Sequence, residues 1–187
     1  MDQEGVTKAH LKSYLAIVRE RIAANEASPA WGKLEARWKA LGDHAAGILA
    51  AFYNGRPAVR WEVAAAKEIV RLSGYVAPRE VLVTTAAMVL MLELDPRRFR
   101  SDRAFRIQVA RRVLGLTEAN ATTYRDRTGK EHRVYKELGP RTSETIGVWL
   151  IEAMGMAGTH IARKDREARA ARMAAHRELQ ADLEGLE

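Results

Sequence analysis

A chain of 187 residues, 47% apolar and 29% charged, is long enough to bury a real core in one medium domain, and its composition is neither that of a disordered chain nor that of a membrane-embedded one. It contains no cysteine, which excludes disulfides, thiolate zinc sites and thiol nucleophiles. Its net charge of +7 speaks about partners only if the excess is concentrated somewhere.

The opening residues Met1, Asp2, Gln3 and Glu4 lack the basic and apolar regions of a secretory signal, so a cytoplasmic protein is expected. A first helix is predicted from about Thr7 to Asn25, with Leu11, Tyr14, Leu15, Val18 and Ile22 on one face. Ser28-Pro29 then supplies a cap and a proline that open a second helix. Its residues Trp31, Leu34, Trp38, Leu41, Ala45, Ile48 and Phe52 step by 3, 4, 3, 4, 3 and 4, a heptad seam. The seam suits packing on the first helix or, alternatively, a protein partner. Asn54-Gly55 ends it.

A third helix is expected over Pro57 to Leu72, with Val59, Val63, Ala66 and Val70 inward and Gly74 as a left-handed stop. Pro78 opens a fourth, and Val81 to Leu92 is apolar almost all round. That run is too short to span a bilayer, so it reads as the core helix and no membrane contact is expected. After Asp95-Pro96, the basic Arg97-Arg98-Phe99-Arg100 leads to Ser101 or Asp102 as the next cap. The following helix, about Arg103 to Leu114, should turn Ile107, Ala110 and Leu114 inward and Arg103, Arg106, Arg111 and Arg112 mainly outward, with Gly115 closing it.

Between Ala121 and Leu138 the pattern becomes β-like and predicts a hairpin. With Gly129 left-handed in a three-residue loop, Arg125 faces Glu131 and Asp126 faces Lys130; a two-residue loop would set Asp126 against Glu131. The charges favour the first register, which puts Arg125, Arg127, Arg133 and Tyr135 on one face. Thr142 or Ser143 is then expected to cap a sixth helix carrying Ile146, Trp149, Leu150 and Ala153 inward, with Gly155 and Gly158 at its end. A last helix, about Thr159 to Leu186, bears the weak stripe Ile161, Ala168, Ala171, Ala175, Leu179 and Leu186 and reads as a docking arm or a peripheral helix. The expected architecture is therefore mainly α: a single helical domain (1–158) of about seven helices, counting the charged C-terminal helix (159–187), with a hairpin at about 121–138 inside a basic helix–hairpin unit at 97–141.

The charge is concentrated in that unit. It holds thirteen basic residues, Arg97, Arg98, Arg100, Arg103, Arg106, Arg111, Arg112, Arg125, Arg127, Lys130, Arg133, Lys136 and Arg141, against five acids, a net of +8, while the rest of the chain carries −1. Eleven of the thirteen are arginine, whose planar fork grips phosphate bidentately. Tyr124 and Tyr135 lie among them as stacking candidates.

Catalytic motifs are not evident. Arg127-Thr128-Gly129-Lys130 lacks the preceding glycine of a phosphate-binding loop, and His10, His44, His132, His160 and His176 are scattered without metal-ligand spacing. No catalytic residue, metal or cofactor is expected. The sequence thus points to a non-catalytic nucleic-acid-binding protein, DNA or RNA, gripping a phosphate backbone, such as a small helical subunit of an RNA-guided or other nucleoprotein complex. Two alternatives stand beside it: a winged-helix DNA-binding regulator, and an adaptor or inhibitor binding a protein through the 31–52 seam or the 159–186 helix.

Overall fold

The buried apolar run of the fourth helix decides the arrangement, because a helix that is apolar on every side must be covered on every side. The computed structural model describes residues 8–119, 121–135 and 137–184, and among these it contains six α-helices and one hairpin: α1 (Lys8–Ala24), α2 (Ala30–Tyr53), α3 (Arg60–Tyr75), α4 (Pro78–Leu94), α5 (Asp102–Leu114), β1 (Ala121–Arg125), β2 (Glu131–Tyr135) and α6 (Pro140–Glu184). Proline occupies the first position of α4, where its missing N–H costs nothing. Every residue from Val81 to Met91 is buried. The cover comes from α1, α5 and the first half of α6, with a lighter contribution from α2.

The long α6 supplies Ile146, Leu150, Met154 and Ala162 to the core. It runs unbroken through Gly155 and Gly158, so the expected sixth and seventh helices are one, of 45 residues. Gly158 is a packing notch. A Cβ there would lie 2.5 Å from the Ala86 carbonyl oxygen and 2.7 Å from Val89, so the glycine allows α6 to pass against the backbone of α4. Gly147 serves α5 in the same way, since a Cβ would fall 2.0 Å from the Arg106 carbonyl oxygen.

Other expectations change for equally local reasons. The seam of α2 is buried at Trp38, Leu41 and Ala45, but it packs chiefly against α3 and α6 rather than α1, leaving Phe52 exposed. Helix α3 continues through Gly74 to Tyr75; the described glycines with positive φ are Gly55 and Gly129. Its inward face is Val63, Ala65, Ala66, Ile69 and Leu72, while Val59 and Val70 are exposed. Helix α5 buries Phe105, Val109, Ala110, Val113 and Leu114, with Ile107 only half-buried. Pro140 itself opens α6, and Thr142 and Ser143 are buried within its first turn instead of capping it.

The hairpin follows the three-residue loop. Arg125 pairs with Glu131, Tyr124 with His132 and Thr123 with Arg133, and Gly129 sits at φ +83°. Among the described residues no helix packs broadly on this ribbon. No helix among the described residues is long and apolar enough to cross a membrane.

Candidate nucleic-acid interface

The connection from α4 to α5 is short, basic and anchored. A 3-10 turn at Pro96–Arg98 follows α4, and Phe99 then lays its ring edge-on against the buried Phe105, 5.0 Å between centroids. The Ser101 hydroxyl oxygen accepts from the Ala104 amide at 3.2 Å and caps α5, satisfying one of the donors a helix start leaves open. These contacts fix the backbone that carries Arg97, Arg98, Arg100 and Arg103.

The connection, the outer face of α5 and the start of α6 enclose a groove of about 730 Å³, with His10 of α1 also on its wall. Five arginines line it, Arg97, Arg98, Arg100, Arg103 and Arg111, against one carboxylate, Asp95. Asp95 is engaged by Arg98, whose Nε donates to it at 2.9 Å. Arg97 and Arg100 form no ion pair with a carboxylate among the described residues. Gln108 is the one amide side chain among the lining residues.

The remaining sequence-predicted residues are distributed differently. Glu144, just beyond the basic segment, accepts from Arg103 Nε at 3.0 Å and lies 3.6 Å from Arg106, so it ties both guanidinium groups to α6. Arg112 is half-buried rather than turned to water; its Nε is buried without a hydrogen-bond partner, and desolvation followed by the charge of Arg111 lowers its pKa. Arg141 leaves the groove altogether and stacks over Trp61 of α3 at 4.8 Å, a cation–π contact.

The ribbon carries a second set of charges. Arg125, Arg127 and Lys130 are exposed and form no ion pair with a carboxylate among the described residues. Lys136 lies outside the described residues, and of Arg133 and Tyr135 only the strand positions are described, opposite Thr123 and Ala121. Arg127 belongs to the turn, not to a strand face.

Asp126 organises the turn instead of pairing with the Lys130 side chain. It accepts from the Thr128 hydroxyl at 2.6 Å and from the amides of Thr128 and Lys130 at 2.9 and 3.0 Å, and it meets His132 Nε2 at 2.6 Å. The Thr128 hydroxyl, then His132, then the two amides hold its carboxyl well below the ordinary range, at about 2. His132 in turn stacks on Tyr124, with centroids 5.3 Å apart and planes 18° apart. Strand alternation places this pair on the face opposite Arg125.

The Tyr124–His132–Asp126 contacts are not evident from the scattered spacing of the five histidines. The three-residue register held the signal, because it sets His132 directly across from Tyr124. Comparison with known families, with curated proteins and with solved structures finds no match to this chain.

Proposed function

We infer that this protein is a non-catalytic nucleic-acid-binding protein that holds a phosphate backbone in the groove between the α4–α5 connection, α5 and the start of α6. The observation that carries this reading is the lining: five arginines and one carboxylate, Asp95, line an anchored groove of about 730 Å³, and two of the five, Arg97 and Arg100, form no ion pair with a carboxylate among the described residues. Phosphate oxygens suit such a surface, since arginine binds them with paired, charge-assisted hydrogen bonds. The ribbon extends the positive surface with Arg125, Arg127 and Lys130, and Tyr124, half exposed and already stacked on His132, offers its outer face to a base.

The lining also bears on specificity. Amide side chains read adenine, and Gln108 is the one amide there; the arginines are assigned to phosphate oxygens, which take the larger share of contacts in such interfaces. The reading is therefore of a module that tracks a strand without reading its sequence, as a helical subunit of a nucleoprotein assembly does. Titration of a labelled single strand and a labelled duplex at several salt concentrations tests this. Log K should fall linearly with log salt, losing about 0.7 to 0.9 per phosphate contacted. Absence of binding to both at low salt would overturn the reading and favour a protein partner.

A further inference from the structure

The second half of α6 leaves the body. At 1.5 Å per residue the 45-residue helix is about 67 Å long, and from Ala170 to Gln180 every residue is exposed. Ion pairs one turn apart support its root, Lys164 with Glu167 at 3.0 Å and Asp165 with Arg169 at 2.7 Å. Beyond them the helix has only its own propensity, and an unpartnered helical segment of this length is marginal in water. Its tip has a distinct character: residues 178–184 hold Glu178, Asp182 and Glu184, no base, and Leu179 and Leu183 one turn apart.

A groove of complementary character lies between the start of α2 and α6, away from the arginine groove. It encloses about 600 Å³, its apolar floor includes Trp31, Leu34 and Ile161, and Arg21, Lys33, Arg37 and Lys164 stand around it with no carboxylate among its lining residues. Lys164 already pairs with Glu167, and Arg37 points its Nη1 at the sulfur of the exposed Met156 at 3.4 Å.

We propose that the α6 tip of a second copy of this chain occupies this groove, so that two copies associate antiparallel along their α6 arms and each tip lies over the other's groove. Charge complementarity selects this occupant: three acids and no base on the tip meet four bases and no acid on the groove. An antiparallel alignment that sets Ala168 level with Ala175 also brings Leu179 level with Lys164 and Leu183 level with His160, which are groove residues. Small alanines at the middle of the pairing let the two helices approach closely, while the exposed Leu179 supplies an apolar anchor at either end.

Sedimentation equilibrium on the full, nuclease-treated chain tests the proposal. The expected mass is twice that of the 20.9 kDa chain. Leu179→Glu with Leu183→Glu on the tip, and separately Lys33→Glu with Arg37→Glu in the groove, should each return a monomer. The groove pair keeps the test sound if the tip variant also loses helix by circular dichroism. Mixing the Lys33→Glu, Arg37→Glu chain with a Glu178→Lys, Asp182→Lys chain should restore a dimer, and Lys164→Cys with Leu179→Cys should give an intermolecular disulfide in this otherwise cysteine-free protein. A wild-type chain that stays monomeric at all concentrations, or a dimer that survives either pair of reversals, would overturn it.

Discussion

The groove and the ribbon both present positive charge, but they hold it in different ways. In the groove, Arg97, Arg98, Arg100 and Arg103 stand on a backbone pinned by Phe99 against Phe105 and by the Ser101 cap, and α5 is pressed on α6 at Gly147. On the ribbon, Arg125, Arg127 and Lys130 stand on a hairpin whose order rests on its own turn, chiefly the four contacts made by Asp126. The groove is therefore preorganised by the core, and the ribbon by local hydrogen bonds. Preorganised groups lose less freedom on binding, so the same number of arginines should contribute more affinity from the groove.

The largest expected effect follows directly. Arg97, Arg100 and Arg111 changed together to alanine should lower the slope of log K against log salt by about 2 to 3, and Arg125, Arg127 and Lys130 changed together should cost less affinity. Salt titrations of both variants check this, and equal losses would remove the distinction between the two surfaces. Next in size is Gly147→Ala. The added Cβ meets the Arg106 backbone, which must shift, and such overpacking costs roughly 1 to 3 kcal/mol. Urea denaturation should show that loss, with weakened nucleic-acid binding beside it, because α5 carries groove arginines.

The ribbon should respond to acid instead. The Asp126 pKa is depressed, so the stabilisation by its ionised form is present above the ordinary aspartate range near 4 and is lost as pH falls through about 2. The Thr128 and Lys130 amide resonances should hold their folded positions down through pH 4 and move only as pH approaches 2. Asp126→Asn should abolish that transition. The smallest effect has the opposite sign: Glu144→Gln releases Arg103 and Arg106, and should tighten binding a few-fold at low salt while changing stability by about 0–1 kcal/mol.

Features set by neighbours along the chain could be read from the sequence. The buried run of α4, its start at Pro78, the cap at Ser101 and the hairpin register all follow from periodicity, proline, glycine and local charge. Features set by distant neighbours could not. Nothing near Gly158 in the chain shows that the Ala86 carbonyl will press on it, so Gly155 and Gly158, three residues apart, read as a helix end rather than a packing surface. The candidate site divides the same way. Its concentration of charge was apparent, but Glu144 lies beyond the basic segment, Trp61 is eighty residues from Arg141, and only the folded α5 buries part of Arg112.

In the proposed function the position of the groove arginines, and not the net charge of the chain, makes the binding surface. Changing Arg97, Arg100 and Arg111 to alanine, and in a second protein changing Lys12, Arg56 and Arg60, removes the same charge from the groove and from exposed sites elsewhere on the helical body. Affinity for a labelled single strand at fixed low salt should fall steeply in the first protein and stay near that of the unaltered chain in the second. Equal affinities in the two altered proteins would contradict it.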